Sequence, residues 1–130
     1  MAELLFENGF HGTYCVRGQE FKIGYDAVQP YDMTYGAIAS CLFSTFCTVA
    51  QERGITPAQA KINITGRRRR TTPSVLEYIR IRLLVQADAD SGALRSVLEE
   101  ALEKCSMVAT FRQTAEIDAA MAEEEKQLYE

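Results

Sequence analysis

Hydrophobic and polar positions alternate loosely over the opening stretch of the chain, and Gly9, Gly12, Gly18 and Gly24 break the alternation. That pattern predicts short strands over residues 4–7, 10–16 and 20–25, joined by tight antiparallel connections. Residues 29–32 read as a loop, from which Asp32 or Thr34 can cap the next helix. The stretch 33–53 is the strongest helix in the chain and is apolar nearly all round, with Gly54 where a C-terminal stop belongs. Such a helix cannot lie on a surface, so something must surround it.

Beyond it, residues 60–66 alternate as a strand with Lys61, Asn63 and Thr65 on one face. The run Arg67 to Arg70, followed by Thr71-Thr72-Pro73, reads as a connection. Residues 75–87 form the clearest strand, in which Leu76, Ile79, Ile81, Leu83 and Val85 interleave with Glu77, Arg80 and Arg82. A turn over 88–92 offers Asp90 or Ser91 as an N-cap. The stretch 93–104 predicts an amphipathic helix, with Leu94, Val97, Leu98, Ala101 and Leu102 on one stripe and Glu99, Glu100 and Glu103 facing water. Residues 105–111 continue as a short apolar segment, 114–117 suit a last strand, and the acidic tail suits a frayed helix. The expected architecture is α+β, a single domain over 1–120 with an acidic C-terminal tail over 121–130. One domain of this size seldom encloses so apolar a helix, and a second subunit is the economical cover. An intertwined homodimer is expected.

Composition narrows the function classes. Across 130 residues, 47% hydrophobic and 25% charged positions exclude disorder as a description of the whole chain. Fourteen Lys and Arg against eighteen Asp and Glu argue against a dedicated nucleic-acid binder. Arg67 to Arg70 would project to alternate sides of a hairpin without interleaved aromatics, which suits a solvated turn. A single histidine, His11, excludes a multi-histidine metal site within one chain, and no metal or cofactor is expected. The N-terminus lacks the pattern of a secretory signal, and the uncharged stretch 33–50 is rich in Ser and Thr. A cytoplasmic protein that does not enter the membrane is therefore expected. Cys15, Cys41, Cys47 and Cys105 include no CxxC pair, which removes a structural zinc. In a reducing compartment they are either inert buried thiols or contain a catalytic pair brought together by the fold. Cys15 and Cys47 read as packing thiols, and His11 as a strand-surface residue.

Two cysteines occupy distinctive positions: Cys41 in Tyr35-Gly36-Ala37-Ile38-Ala39-Ser40-Cys41, and Cys105 in Glu103-Lys104-Cys105-Ser106-Met107-Val108. Between them lie Ile64-Thr65-Gly66-Arg67 and Pro73-Ser74-Val75-Leu76-Glu77-Tyr78-Ile79. This arrangement, from about residue 29 to about 117, resembles the OsmC/Ohr family of thiol-dependent hydroperoxide reductases. The resemblance implies an OsmC-like fold, with antiparallel strands around a buried central helix. It also implies a peroxidatic Cys41, a resolving Cys105, an organic hydroperoxide substrate and an external dithiol reductant. The alternative is a non-catalytic module of the same fold that holds a small apolar or acyl ligand.

Burial raises a thiol pKa, and Cys41 lies about two turns inside its helix, so its activation calls for a cation. In the family an arginine held by a glutamate serves. Here Tyr31 aligns with that glutamate and Asp32 adjoins it. Arg17 is the only arginine before the helix, and Lys22 is the lesser candidate. Tyr31, Asp32 and Tyr35 are the candidate substrate pocket. Together with Phe43 and Phe46, the tyrosines suit either an organic substrate or core packing.

Overall fold

The computed structural model describes residues 1–130, which divide into two units, Met1–Thr34 and Tyr35–Glu130. In the first, β1 (Ala2–Phe6), β2 (His11–Val16) and β3 (Gln19–Gly24) form an antiparallel sheet in chain order. Val16 pairs with Gln19, so Arg17 and Gly18 alone make the β2–β3 turn. Their φ angles of 51° and 74° are the left-handed values that a twisted two-residue hairpin requires. Glycine meets that need freely, whereas Arg17 meets it at a steric cost of about 1 kcal/mol. Every residue of β1 is exposed, Leu4, Leu5 and Phe6 included.

Helix α1 runs Pro30–Glu52, earlier than its apolar pattern suggests. Proline suits the first helical position because its missing N–H has no partner to lose there. The Asp32 carboxylate accepts from the Gln29 N–H at 2.9 Å, closing the helix start from within its first turn. Tyr31 and Asp32 therefore belong to the helix and not to a preceding loop. Gly54, at φ 73°, ends the helix. Its N–H reaches Gln51 O at 3.0 Å and the Ile55 N–H reaches Ala50 O at 2.9 Å, which satisfies the last carbonyls.

In the second unit, β4 (Pro57–Arg68) pairs antiparallel with β5 (Leu76–Ala87), and β5 pairs parallel with β6 (Glu116–Ala122). A parallel neighbour needs a crossover. It is made by α2 (Ser91–Lys104) and α3 (Ser106–Arg112). Asp90 caps α2, its carboxylate accepting from the Ala93 N–H at 2.8 Å.

Leu76, Ile79, Ile81, Leu83 and Val85 of β5 face the core, with Ile38, Leu42, Phe46 and Val49 of α1, Val97 and Ala101 of α2, and Val108 of α3. The other face of β5 carries Tyr78 and Arg82, which bind Asp118 of β6. The Arg82 guanidinium also donates to the Asp118 carbonyl at 3.0 Å. Tyr78 and Arg82 together hold the Asp118 carboxyl below the usual carboxylate range.

Several expectations change. Helix α1 buries Ile38, Ala39, Leu42, Phe46, Val49 and Ala50 but leaves Gly36, Ala37, Ser40, Ser44 and Thr48 exposed, so within one chain it is covered on one side only. It is long and apolar enough to cross a membrane by length and composition. Its hydroxyls bond within the helix, Thr45 to Cys41 O at 3.0 Å and Thr48 to Ser44 O at 3.2 Å, which hides their polarity. Glu100 does not face water alone, because it bonds Arg53 at 2.6 Å and Lys104 at 2.8 Å. Arg67 and Arg68 belong to β4, and Arg67 and Arg69 both lie against Glu77, at 3.0 and 4.0 Å.

The last strand extends to Ala122, and the expected frayed helix is a single 3-10 turn, α4 (Glu125–Leu128). Arg80 donates to Leu128 O at 2.8 Å, and the Leu128 side chain is fully buried. Acidity marked this segment as solvated, yet one leucine and one arginine fasten it. Leu128→Ala should lower the free energy of unfolding by about 2–4 kcal/mol in urea titration, where a solvated tail would give no change.

Candidate functional site

The site rests on the junction of α2 and α3. Cys105 ends one helix and starts the next with an extended backbone, φ −73° and ψ 119°. Its N–H closes α2 on Ala101 O at 2.9 Å, and its carbonyl accepts the first α3 bond from Ala109 at 3.0 Å. The Cys105 side chain makes no capping bond, so the first amides of α3 remain available to other acceptors.

Cys41, from α1, lies against this junction. Its sulfur accepts from the Cys105 thiol at 3.5 Å and lies 3.8 Å from the Ser106 Oγ. The main influence on its acidity is the backbone N–H of Met107, which lowers its pKa. Burial opposes this, while the Cys105 thiol, the Ser106 hydroxyl and the Ser106 N–H lower it further. The net direction is down. For Cys105 the direction is up, because burial dominates and a charged Cys41 beside it disfavours a second thiolate. Cys41 is half-buried and Cys105 almost wholly buried, so the more acidic thiol is also the more accessible one. The pair is thereby differentiated into a more acidic, accessible thiol and a less acidic, buried one.

The other cysteines lack this environment. Burial pushes Cys47 up. Cys15 is also raised, first by burial and then by Glu20, whose carboxylate lies 3.7 Å from its sulfur.

Of the other residues singled out by sequence, Arg17 occupies the β2–β3 turn and Lys22 lies exposed on β3. Tyr31 and Asp32 are in the first turn of α1. Tyr35 packs on β4, where a Cβ on Gly66 would sit 2.7 Å from the Tyr35 hydroxyl, so the glycine admits the ring. Two cavities, of about 670 and 310 Å³, are lined by other residues, among them His11 and Lys22 in the first and Arg95 and Met121 in the second. Neither is lined by Cys41 or Cys105.

The α3 amides and the Ser106 hydroxyl escaped sequence reasoning. A signal was present in Met107, Val108 and Phe111, whose spacing fits one helical face immediately after Cys105.

A differentiated thiol pair between a long helix and a crossover, on an α+β scaffold, defines a two-cysteine thiol site. The description OsmC-like protein matches residues 24–120, and the chain belongs to that family. Its fold is that of several solved structures. An OsmC-like protein from Mycoplasma pneumoniae superposes with a TM-score of 0.83 at 14% identity, over 94% of each chain. A hypothetical protein from Aquifex aeolicus gives 0.80 at 21% identity, over 96% of this chain and 97% of that one. The organic hydroperoxide resistance protein OhrB of Bacillus subtilis gives 0.68 at 16% identity, over 94% of this chain and 98% of that one. No curated protein matches the chain.

The four thiols should separate when the reduced protein is alkylated with iodoacetamide and each cysteine peptide is followed by mass. Cys41, its pKa lowered, should react fastest at pH 7 and reach half its maximal rate at the lowest pH. Cys105 should react slowest, and equal rates at Cys41 and Cys47 would contradict the assignment.

Proposed function

We propose that this protein is a thiol-dependent peroxidase that reduces organic hydroperoxides. The observation that carries the reading is the 3.5 Å approach of the Cys105 thiol to the more acidic Cys41 sulfur. In the first step the Cys41 thiolate attacks the outer oxygen of ROOH. The O–O bond breaks, the alkoxide leaves and takes up a proton as the alcohol ROH, and Cys41 becomes a sulfenic acid. In the second, the Cys105 sulfur attacks the Cys41 sulfur, a disulfide forms, and the sulfenic oxygen leaves as water with the Cys105 proton. An external dithiol then restores both thiols by exchange and is itself oxidised to its disulfide.

The buried Cys105 thiol suits the resolving role, because it is shielded from peroxide yet adjacent to the sulfur it must trap. The names of the neighbours from Bacillus subtilis and Legionella pneumophila, both organic hydroperoxide resistance proteins, support the substrate class. The reading includes a cytoplasmic location, where the four thiols would stay reduced between turnovers. Arg17 is the proposed additional cation, and Tyr31, Asp32 and Tyr35 the proposed pocket wall.

The reading includes a homodimer. Leu4, Leu5, Phe6, Phe21, Tyr25 and Val28 are all exposed in the first unit, and β1 is an edge strand with no cover on either face. An edge of this kind invites pairing. The exposed side of α1, with small residues and internally bonded hydroxyls, can be buried at little polar cost.

Dithiol-dependent consumption of an organic hydroperoxide should be rapid in the wild type and lost in Cys41→Ser. Cys105→Ser should complete one turnover and then accumulate oxidised Cys41 by intact mass. Absence of turnover in the wild type would overturn the peroxidase. Arg17→Asn suits the left-handed turn and should leave the melting temperature unchanged or higher, while slowing Cys41 oxidation about tenfold, the effect of about one pKa unit. Sedimentation at micromolar concentration should give twice the chain mass, and a monomer would remove the dimer.

A further inference from the structure

Ser106 follows a cysteine in an ordinary apolar segment, and the two-cysteine chemistry leaves it without a role. Its position is specific. It is the first residue of α3, its carbonyl accepts from the Thr110 hydroxyl at 2.9 Å, and it is exposed. Its hydroxyl has one protein partner, the Cys41 sulfur at 3.8 Å. Proton placement then follows from the neighbours. Cys105 already donates its S–H to Cys41, so Cys41 acts as an acceptor within the pair. A thiolate offers lone pairs and no proton, and the only way Ser106 can bond it is by donating. A hydroxyl that donates to a charged acceptor stabilises that charge more than it would a neutral thiol.

We propose that Ser106 is a catalytic residue that donates its hydroxyl proton in a hydrogen bond to the Cys41 thiolate and so sets the pH at which that sulfur becomes reactive. The inference rests on Cys41 being the attacking sulfur. The bond is made by a side chain, so it can be removed without disturbing the backbone amides of α3. Being exposed, Ser106 can be replaced without opening a cavity. The lowered pKa of Cys41, to which the Ser106 hydroxyl contributes, agrees with this arrangement.

The test is the pH dependence of Cys41 alkylation by iodoacetamide, followed by peptide mass in wild type, Ser106→Ala, Ser106→Thr and Ser106→Val. In the alanine and valine variants the midpoint should rise by about half a unit to one unit, slowing the reaction at pH 7 by about three- to tenfold. Their rates on the alkaline plateau should equal or exceed the wild type, since a fully formed thiolate no longer depends on the donor for its population and is more nucleophilic without it. Ser106→Thr keeps a hydroxyl and should restore the wild-type midpoint. Threonine and valine have nearly the same shape, so their comparison isolates the hydroxyl even where alanine perturbs folding. A midpoint unchanged in both alanine and valine variants overturns the proposal, as does a loss of rate that is uniform in pH. Iodoacetamide reports on the thiolate without any hydroperoxide, so failure of peroxide turnover and failure of this donor give different results.

Discussion

The site depends on one backbone constraint: the extended conformation of Cys105 between two helices. An uninterrupted helix through this point would direct the Ser106 and Met107 amides to their own i−4 carbonyls. The break frees them, and it does so beside Cys41. One residue thus supplies the second sulfur and the geometry that makes the first sulfur acidic. The crossover ends hold the break in place, since β5 and β6 are fixed in parallel register with Tyr78 and Arg82 bound to Asp118.

This arrangement answers an electrostatic difficulty inherent in the sequence. A thiol well inside an apolar helix gains little from that helix's own dipole, which acts over the first turn. Donors reach Cys41 instead from a different element, across a separation of 64 residues along the chain from Cys105. Hydrogen-bond donors in a partly dry environment can stabilise a thiolate without the desolvation cost of bringing in a full opposite charge.

Much of the scaffold was legible from pattern alone. Alternation in β5 and the apolar stripe of α2 identified their buried faces, because each element has one clear inside and one outside. Glu100 was the exception on α2, since an acidic run could not reveal that Arg53 would reach it. The approach of Cys41 to Cys105 was legible only through family resemblance, because spacing along a chain does not encode a tertiary contact. The helix after Cys105 was obscured by its brevity. The C-terminal turn was obscured by its charge: among acids, a single buried Leu128 carries no periodicity. The one-sided burial of α1 was hidden because small hydroxylic residues look apolar once their hydroxyls bond the helix itself.

The separation between the two cysteines has a further consequence for the life of the chain. Bringing such distant residues together costs loop entropy that local structure cannot repay. Native packing of α1 against the crossover must supply it. A nascent or unfolded chain therefore carries four ordinary thiols, and the distinctive reactivity of Cys41 emerges only with the completed tertiary structure. The acidity of that sulfur is thus a property of the assembled fold and not of any local segment.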